Sequence, residues 1–359
     1  MQIILGIIFH FIGGFASGSF YVPYKKVKGW AWENYWLIGG LFSWFIIPPI
    51  AAWITIPNFA EIIAQTPAST FWWTYFWGIL WGVGGLMYGL GMRYLGMSLG
   101  NSVLLGFASA FGALVPSIYY NFHPQEGKTT FNDLLSTSWG RIVLVGVILC
   151  LLGIYICGRA GVMKEKELPE EKKKESIKEF NLAKGLVVCI ISGILSACFN
   201  YGIEAGSAMA DVADTMWKAA HPNETVNFLY RNNVIYVVLL WGGLTTNFVW
   251  CMFLNARNKT FGDYTNKAYP LVRNILFCAL AGTTWFLQFF FYGMGESKLG
   301  NGASSWILHM AFIILVANMW GFALKEWKDV SSKTKTTIVA GVITIIASVA
   351  LVGIGNAMK

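Results

Sequence analysis

Ten stretches of this 359-residue chain are apolar over about 20 residues each, and no other feature restricts its folding so tightly. They are 2–23, 36–56, 71–92, 99–120, 139–159, 184–205, 228–254, 270–295, 300–324 and 337–357. The hydrocarbon core of a bilayer is about 30 Å thick, and about 20 residues of α-helix cross it. Backbone amides find no water there, so each stretch must bond its own backbone. The alternation of a transmembrane strand is absent, which argues against a barrel. Only 12% of residues are charged and 56% are hydrophobic, where an ordinary soluble domain carries about 25% charge. The sequence therefore predicts an all-α membrane protein with ten transmembrane helices. The first stretch has no basic residue ahead of its apolar run, so it is expected to remain in the membrane rather than act as a signal peptide.

The positive charges are distributed unevenly between the loops. Odd-numbered loops carry Lys25, Lys26 and Lys28, then Arg93, then the run from Arg159 to Lys184, then Arg257, Lys259, Lys267 and Arg273, and finally Lys325, Lys328, Lys333 and Lys335. Even-numbered loops are poor in Lys and Arg. Positive residues in short loops favour the cytoplasm, so the odd loops are expected inside and both termini outside. The net charge of +8 is then a topology signal, with no folded basic domain to bind nucleic acid. All six cysteines fall inside the apolar stretches without a Cys-x-x-Cys pair, as core residues do. His123 and His221 lie in loops far from them, so no metal site or cofactor is expected.

The two halves of the chain resemble one another. GIIFHFIGGFASGSF (6–20) aligns with GLVVCIISGILSACF (185–199), YGLGMRYLG (88–96) with YGMGESKLG (292–300), and GVI recurs at 146–148 and 341–343. A charged linker at 161–182 separates them, leaving repeats at 1–160 and 183–359. Five helices per repeat is an odd number, so the second repeat enters the membrane from the opposite side. Two inverted five-helix repeats are an architecture of alternating-access transporters.

Six segments carry a family resemblance: FYVPYKKVKGWAWE (20–33), MRYLGMSLG (92–100), EFNLAKGL (179–186), LQFFFYGMG (287–295), SWILHMAF (305–312) and LKEW (324–327). Together they resemble the L-rhamnose–proton symporters of the drug/metabolite transporter superfamily over nearly the whole chain. The resemblance implies a multi-pass protein of the bacterial inner membrane that takes up a small neutral 6-deoxyhexose with a proton. It also implies ten helices in two inverted halves. The segments GSAMADVADTMWKAAHPNETVN (206–227) and ESKLGNGAS (296–304) depart from the family pattern.

An ionisable group inside a membrane span is costly and marks a functional site by default. His10 and His309 lie about 12–14 Å into their helices at 1.5 Å per residue, close to the bilayer midplane. An imidazole titrates in the range where periplasm and cytoplasm differ, so these two are the first proton-coupling candidates. Each could equally be a neutral ring bonded to a neighbouring helix. Glu204 is a third candidate, and apart from it no acid is expected well within a span. Ser17 shares a helix face with His10. Asn200 lies in the aligned helix of the second half. Trp285, Gln288 and Tyr292 form a stripe offering an aromatic face, an amide and a phenol to one cavity, with Tyr88 the repeat partner of Tyr292. These are the substrate-binding candidates. Lys25, Lys26 and Glu33 mark an inner mouth, for gating or topology. An enzyme would need a nucleophile, a metal cluster or an acid–base pair, and the spans offer none. An exporter of drugs or metabolites, a channel and a sodium-coupled sugar carrier stay open as alternatives.

Overall fold

A computed structural model describes residues 2–124, 129–169, 171–172, 177, 179–223, 226–299 and 302–358. Helix follows helix, with no strand among the described residues: α1 Gln2–Ser19, α2 Trp32–Gly40, α3 Ile47–Thr55, α4 Phe59–Gln65, α5 Ala68–Phe122, α6 Phe131–Ser136, α7 Ser138–Glu167, α8 Leu182–Ser196, α9 Cys198–Ala205, α10 Ser207–Ala220, α11 Asn233–Asn258, α12 Leu271–Leu299, α13 Gly302–Ala323 and α14 Ser332–Ala357. Among the described residues, eight helical segments are long and apolar enough to cross a membrane, and Leu308–Ala323 is a shorter apolar helix. The all-helical, membrane-type fold agrees with the sequence.

Several boundaries differ from those expected. The third and fourth stretches run together as α5, whose 55 residues would measure about 82 Å as one rod, far more than a bilayer's core. Gly96 breaks it, with φ 79° and ψ −179°, a conformation that only glycine adopts readily. The outer loop expected at 206–227 contains a helix, α10. Helix α7 continues to Glu167, into the stretch read as charged linker, and Ile177 and Phe180 are buried. Helix α12 runs to Leu299, four residues past its expected end, and so takes in Glu296.

The chain packs as two compact units, Met1–Gly85 with Cys198–Leu299, and Leu86–Ala197 with Gly300–Lys359. Each draws helices from both halves of the sequence, so neither unit coincides with one of the expected repeats. In the first unit, α1 runs antiparallel to α12. Gly6 faces Leu299, His10 faces Gly295, and Phe20 meets Trp285. The early part of α5 crosses α11 where a Cβ on Gly78 or Gly242 would strike the other helix's backbone. Small residues at such crossings let helices approach in the absence of a hydrophobic drive between them. In the second unit α7 packs along α14 through Val143, Val147, Val349 and Val352, with Ala110 and Ala311 beside them.

Candidate functional site

The first unit gathers most of the polar and aromatic candidates along the facing sides of α1 and α12. His10 is fully buried. Its ring meets Tyr292 edge-on with centroids 5.4 Å apart, and it lies so close over Gly295 that an added Cβ there would sit 2.6 Å from Nε2. Ser17 is buried two turns further along α1. Gln288 is 4% exposed on α12, one turn before Tyr292. Spacing along the two antiparallel helices thus sets an imidazole, a hydroxyl, an amide and a phenol along one seam.

At the Trp285 end of that seam the rings close into a cage. Trp285 meets Phe20, Trp44, Trp81 and Phe289 with centroid separations of 6.4, 5.9, 5.5 and 5.1 Å. Phe199 stacks on Phe289 at 4.0 Å and meets Trp81 at 5.2 Å, bringing α9 into the cluster. Each favourable ring pair adds about 0.5–1.5 kcal/mol beyond its burial. Trp44 enters from a π-helical turn, Leu41–Ile46, between α2 and α3. Its indole N–H is buried and finds no acceptor among the described protein atoms. Pi-helical turns cluster at functional sites, and this one delivers a free donor to an aromatic wall. Sequence reading missed Trp44, Trp81, Phe199 and Phe289. The signal available was Pro48-Pro49 just after Trp44, which marks an irregular helix.

Other candidates fall elsewhere. Asn200 and Glu204 lie half-buried on α9, beyond Phe199. Tyr88 and His309 belong to the second unit. The Tyr88 hydroxyl donates to Asn101 Oδ1 at 3.0 Å, and His309 is fully buried in α13. Two and a half turns along α13, Asn318 joins a buried chain: Ser98 Oγ donates to its Oδ1 at 2.5 Å, and its Nδ2 donates to Ser102 Oγ at 2.9 Å. The structure therefore brings His10, Ser17, Asn200, Glu204, Trp285, Gln288 and Tyr292 into one unit and leaves Tyr88 and His309 in the other.

Glu33 is tied into a clamp. Its Oε1 accepts from Asn258 Nδ2 and Thr260 Oγ1, both at 2.9 Å, and it is only 4% exposed. Asp263 Oδ2 accepts from Ala31 N and Asn34 Nδ2 at 2.8 Å each, and Asn274 pairs with both the N–H and the carbonyl of Lys28. Tyr264 packs on Trp30, and burial pushes its phenol up to about 12. Lys25 and Lys26 stay exposed on the 3₁₀ turn Pro23–Lys26. The second unit has its own clamp, built on Glu326. Its carboxylate accepts from Met97 N at 2.9 Å and Ser98 N at 3.0 Å, where the helix restarts after Gly96. A carboxylate suits the positive end of a helix. Lys164, buried at 2% exposure, donates to the Glu326 carbonyl and lies over Phe180 and Trp327 at 5.3 and 5.0 Å. Three of the motifs, MRYLGMSLG, EFNLAKGL and LKEW, meet around this one knot.

Fold and site together define an integral membrane protein of apolar helices with a caged, partly polar seam inside one helical unit. The described residues offer no metal-ligating cluster. The family model described as L-rhamnose-proton symport protein (RhaT) matches residues 1–358. L-rhamnose-proton symporters of Yersinia pestis (strain Pestoides F) and Yersinia pseudotuberculosis serotype O:1b (strain IP 31758) are each 36% identical over 360 residues, covering 99% of this chain and 98% of the relative. The chain belongs to the L-rhamnose-proton symport protein family, whose members are transporters rather than enzymes.

Proposed function

We propose that this protein imports L-rhamnose, or a close 6-deoxyhexose, together with a proton by alternating access. The family match over nearly the entire chain carries the reading. The cage around Trp285 supports it: the C–H faces and C6 methyl of a deoxyhexose pack on rings, and its hydroxyls need the amide of Gln288, the hydroxyl of Ser17 and the indole donor of Trp44. Asn200 and Tyr292 are further substrate contacts in this reading, and Tyr88, on the second unit, stays a separate substrate-binding candidate. His10, with His309 and Glu204, are the proton carriers proposed, and His10 is the first choice because it closes the same seam. The bacterial inner membrane is the proposed site, with odd loops cytoplasmic and both termini outside. Division of α5 at Gly96, together with α13, supports ten crossings in two inverted repeats of five, 1–160 and 183–359, joined by the linker at 161–182. Lys25, Lys26 and the Glu33 clamp form the inner mouth.

The test uses purified protein in liposomes holding a pH-sensitive dye. Adding L-rhamnose outside is expected to acidify the lumen, and His10→Gln is expected to stop accumulation while L-rhamnose counterflow continues. Sugar entry without proton movement in the wild type would favour a sodium-coupled or uncoupled carrier. Accumulation and acidification unchanged in His10→Gln would remove His10 as the carrier.

A further inference from the structure

A protonated His10 would be a cation buried between α1 and α12, and such a charge needs a counter-charge. The sequence places no acid nearby, because the eighth stretch reads as ending at residue 295. The structure does. Helix α12 continues, and the residue after Gly295, against which His10 lies, is Glu296. Its Oε2 accepts from Asn232 Nδ2 at 2.5 Å. Glu296 also stands one turn beyond Tyr292, whose ring touches His10.

The charged and titratable groups around Glu296 come from several elements. Helix α1 contributes His10. Helix α11 contributes Tyr236, and the turn before it contributes Arg231, the residue next to the Asn232 that donates to Glu296. Helix α12 itself carries Tyr292 and Lys298. Helix α10 contributes Asp211, which is 3.9 Å from Arg231 and largely exposed. Glu33, Lys25 and Lys26 belong to the opposite end of α12, where Asn274 binds Lys28.

We propose that Glu296 is the counter-charge of the coupling site, held by Asn232 and shared between Arg231 and a protonated His10. With His10 neutral, the carboxylate is balanced by Arg231. When the imidazole binds one proton, carboxylate and imidazolium balance each other across the α1–α12 seam and Arg231 turns to Asp211. One proton has been taken up, no bond to carbon has changed, and no unbalanced charge is buried. Glu296 is thus a positioning residue that sets the pH at which His10 loads. This rests on His10 as the proton carrier of a sugar symporter.

The experiment measures L-rhamnose accumulation against external pH, and counterflow as a separate signal, in liposomes containing the full chain. Glu296→Gln is expected to keep counterflow and to move the accumulation profile to more acidic pH by about one unit or more, since an opposite charge at close range is worth about 1–3 units. Glu296→Asp is expected to restore most of the shift. Arg231→Gln, which removes the competing cation, is expected to move the profile the other way. A Glu296→Gln profile superimposed on the wild type, a loss that Asp does not restore, or an acidic shift in Arg231→Gln would each overturn the assignment. Wild-type protein without L-rhamnose counterflow would instead overturn the sugar reading on which it rests.

Discussion

Trp44 and Gln288 show how single side chains divide the work of holding a neutral sugar. A ring supplies area for C–H faces, and a buried donor or amide supplies direction. Trp44 does both, because its indole N–H is buried with no acceptor among the described protein atoms. Replacing Trp44 by Phe keeps most of the ring contact and deletes the donor. Replacing Gln288, itself 4% exposed, by Ala removes a buried amide from the seam. Each is expected to weaken L-rhamnose binding by about 0.5–1.5 kcal/mol, the net worth of a neutral hydrogen bond, which is roughly 2–12-fold in Kd. Scintillation-proximity binding in detergent measures this. Unchanged affinity in both variants would move the sugar away from the Trp285 cage. His10 was legible in the sequence because an ionisable residue in an apolar run stands out. Glu296 was not, since its helix appeared to stop one residue too soon, at the edge of a segment that departs from the family pattern.

The helix interrupted between α2 and α3 has an identifiable cause. Pro48 and Pro49 carry no N–H, and their rings clash with the carbonyls of Trp44 and Phe45 four residues earlier. The backbone widens there, with Ile47 N–H bonding back five residues to Phe42. That extra residue in the turn rotates everything before it by about 100° relative to everything after. It is what aims Trp44 at Trp285. Replacing both prolines by Ala lets an ordinary helix run through. The variant is expected to unfold at a higher temperature than wild type and to bind L-rhamnose several-fold more weakly. Thermal unfolding and binding assays on the same preparation test both halves. Full sugar affinity with an α-helical 41–49 segment would show that the π turn does not position the site. Gly96 acts in the opposite manner: its positive φ ends one apolar helix and starts another, and Glu326 then satisfies the first amides of the new one.

For the molecule as a whole, charge bias sets the proposed orientation, and the six native cysteines are all buried, so an added cysteine reports cleanly. Lys166 is exposed near the end of α7, within the charged linker. In intact cells, Lys166→Cys is expected to resist a membrane-impermeant maleimide and to react fully once the membrane is permeabilised. Ready labelling in intact cells would turn the topology over. That each unit joins segments from both halves of the chain was invisible in the chain's order. Repeats are found by comparing residues in series, whereas packing joins 1–85 with 198–299 through contacts hundreds of residues apart.

Lipid acts on each segment separately. Whether a stretch of about 20 residues enters a bilayer depends on its own composition, and its backbone bonds close within it. Membrane class, helical fold and the isolated histidines were therefore readable from the chain alone, and so was the family, from motifs quoted in order. Which side chains meet depends instead on how helices pair, and pairing is settled by close packing of small residues and by buried polar partners far apart in sequence. The ring cage of Trp44, Trp81, Phe199 and Phe289, the clamps on Glu33 and Glu326, and the approach of Glu296 to the His10 seam exist only once α1 has laid itself along α12 and each unit has closed.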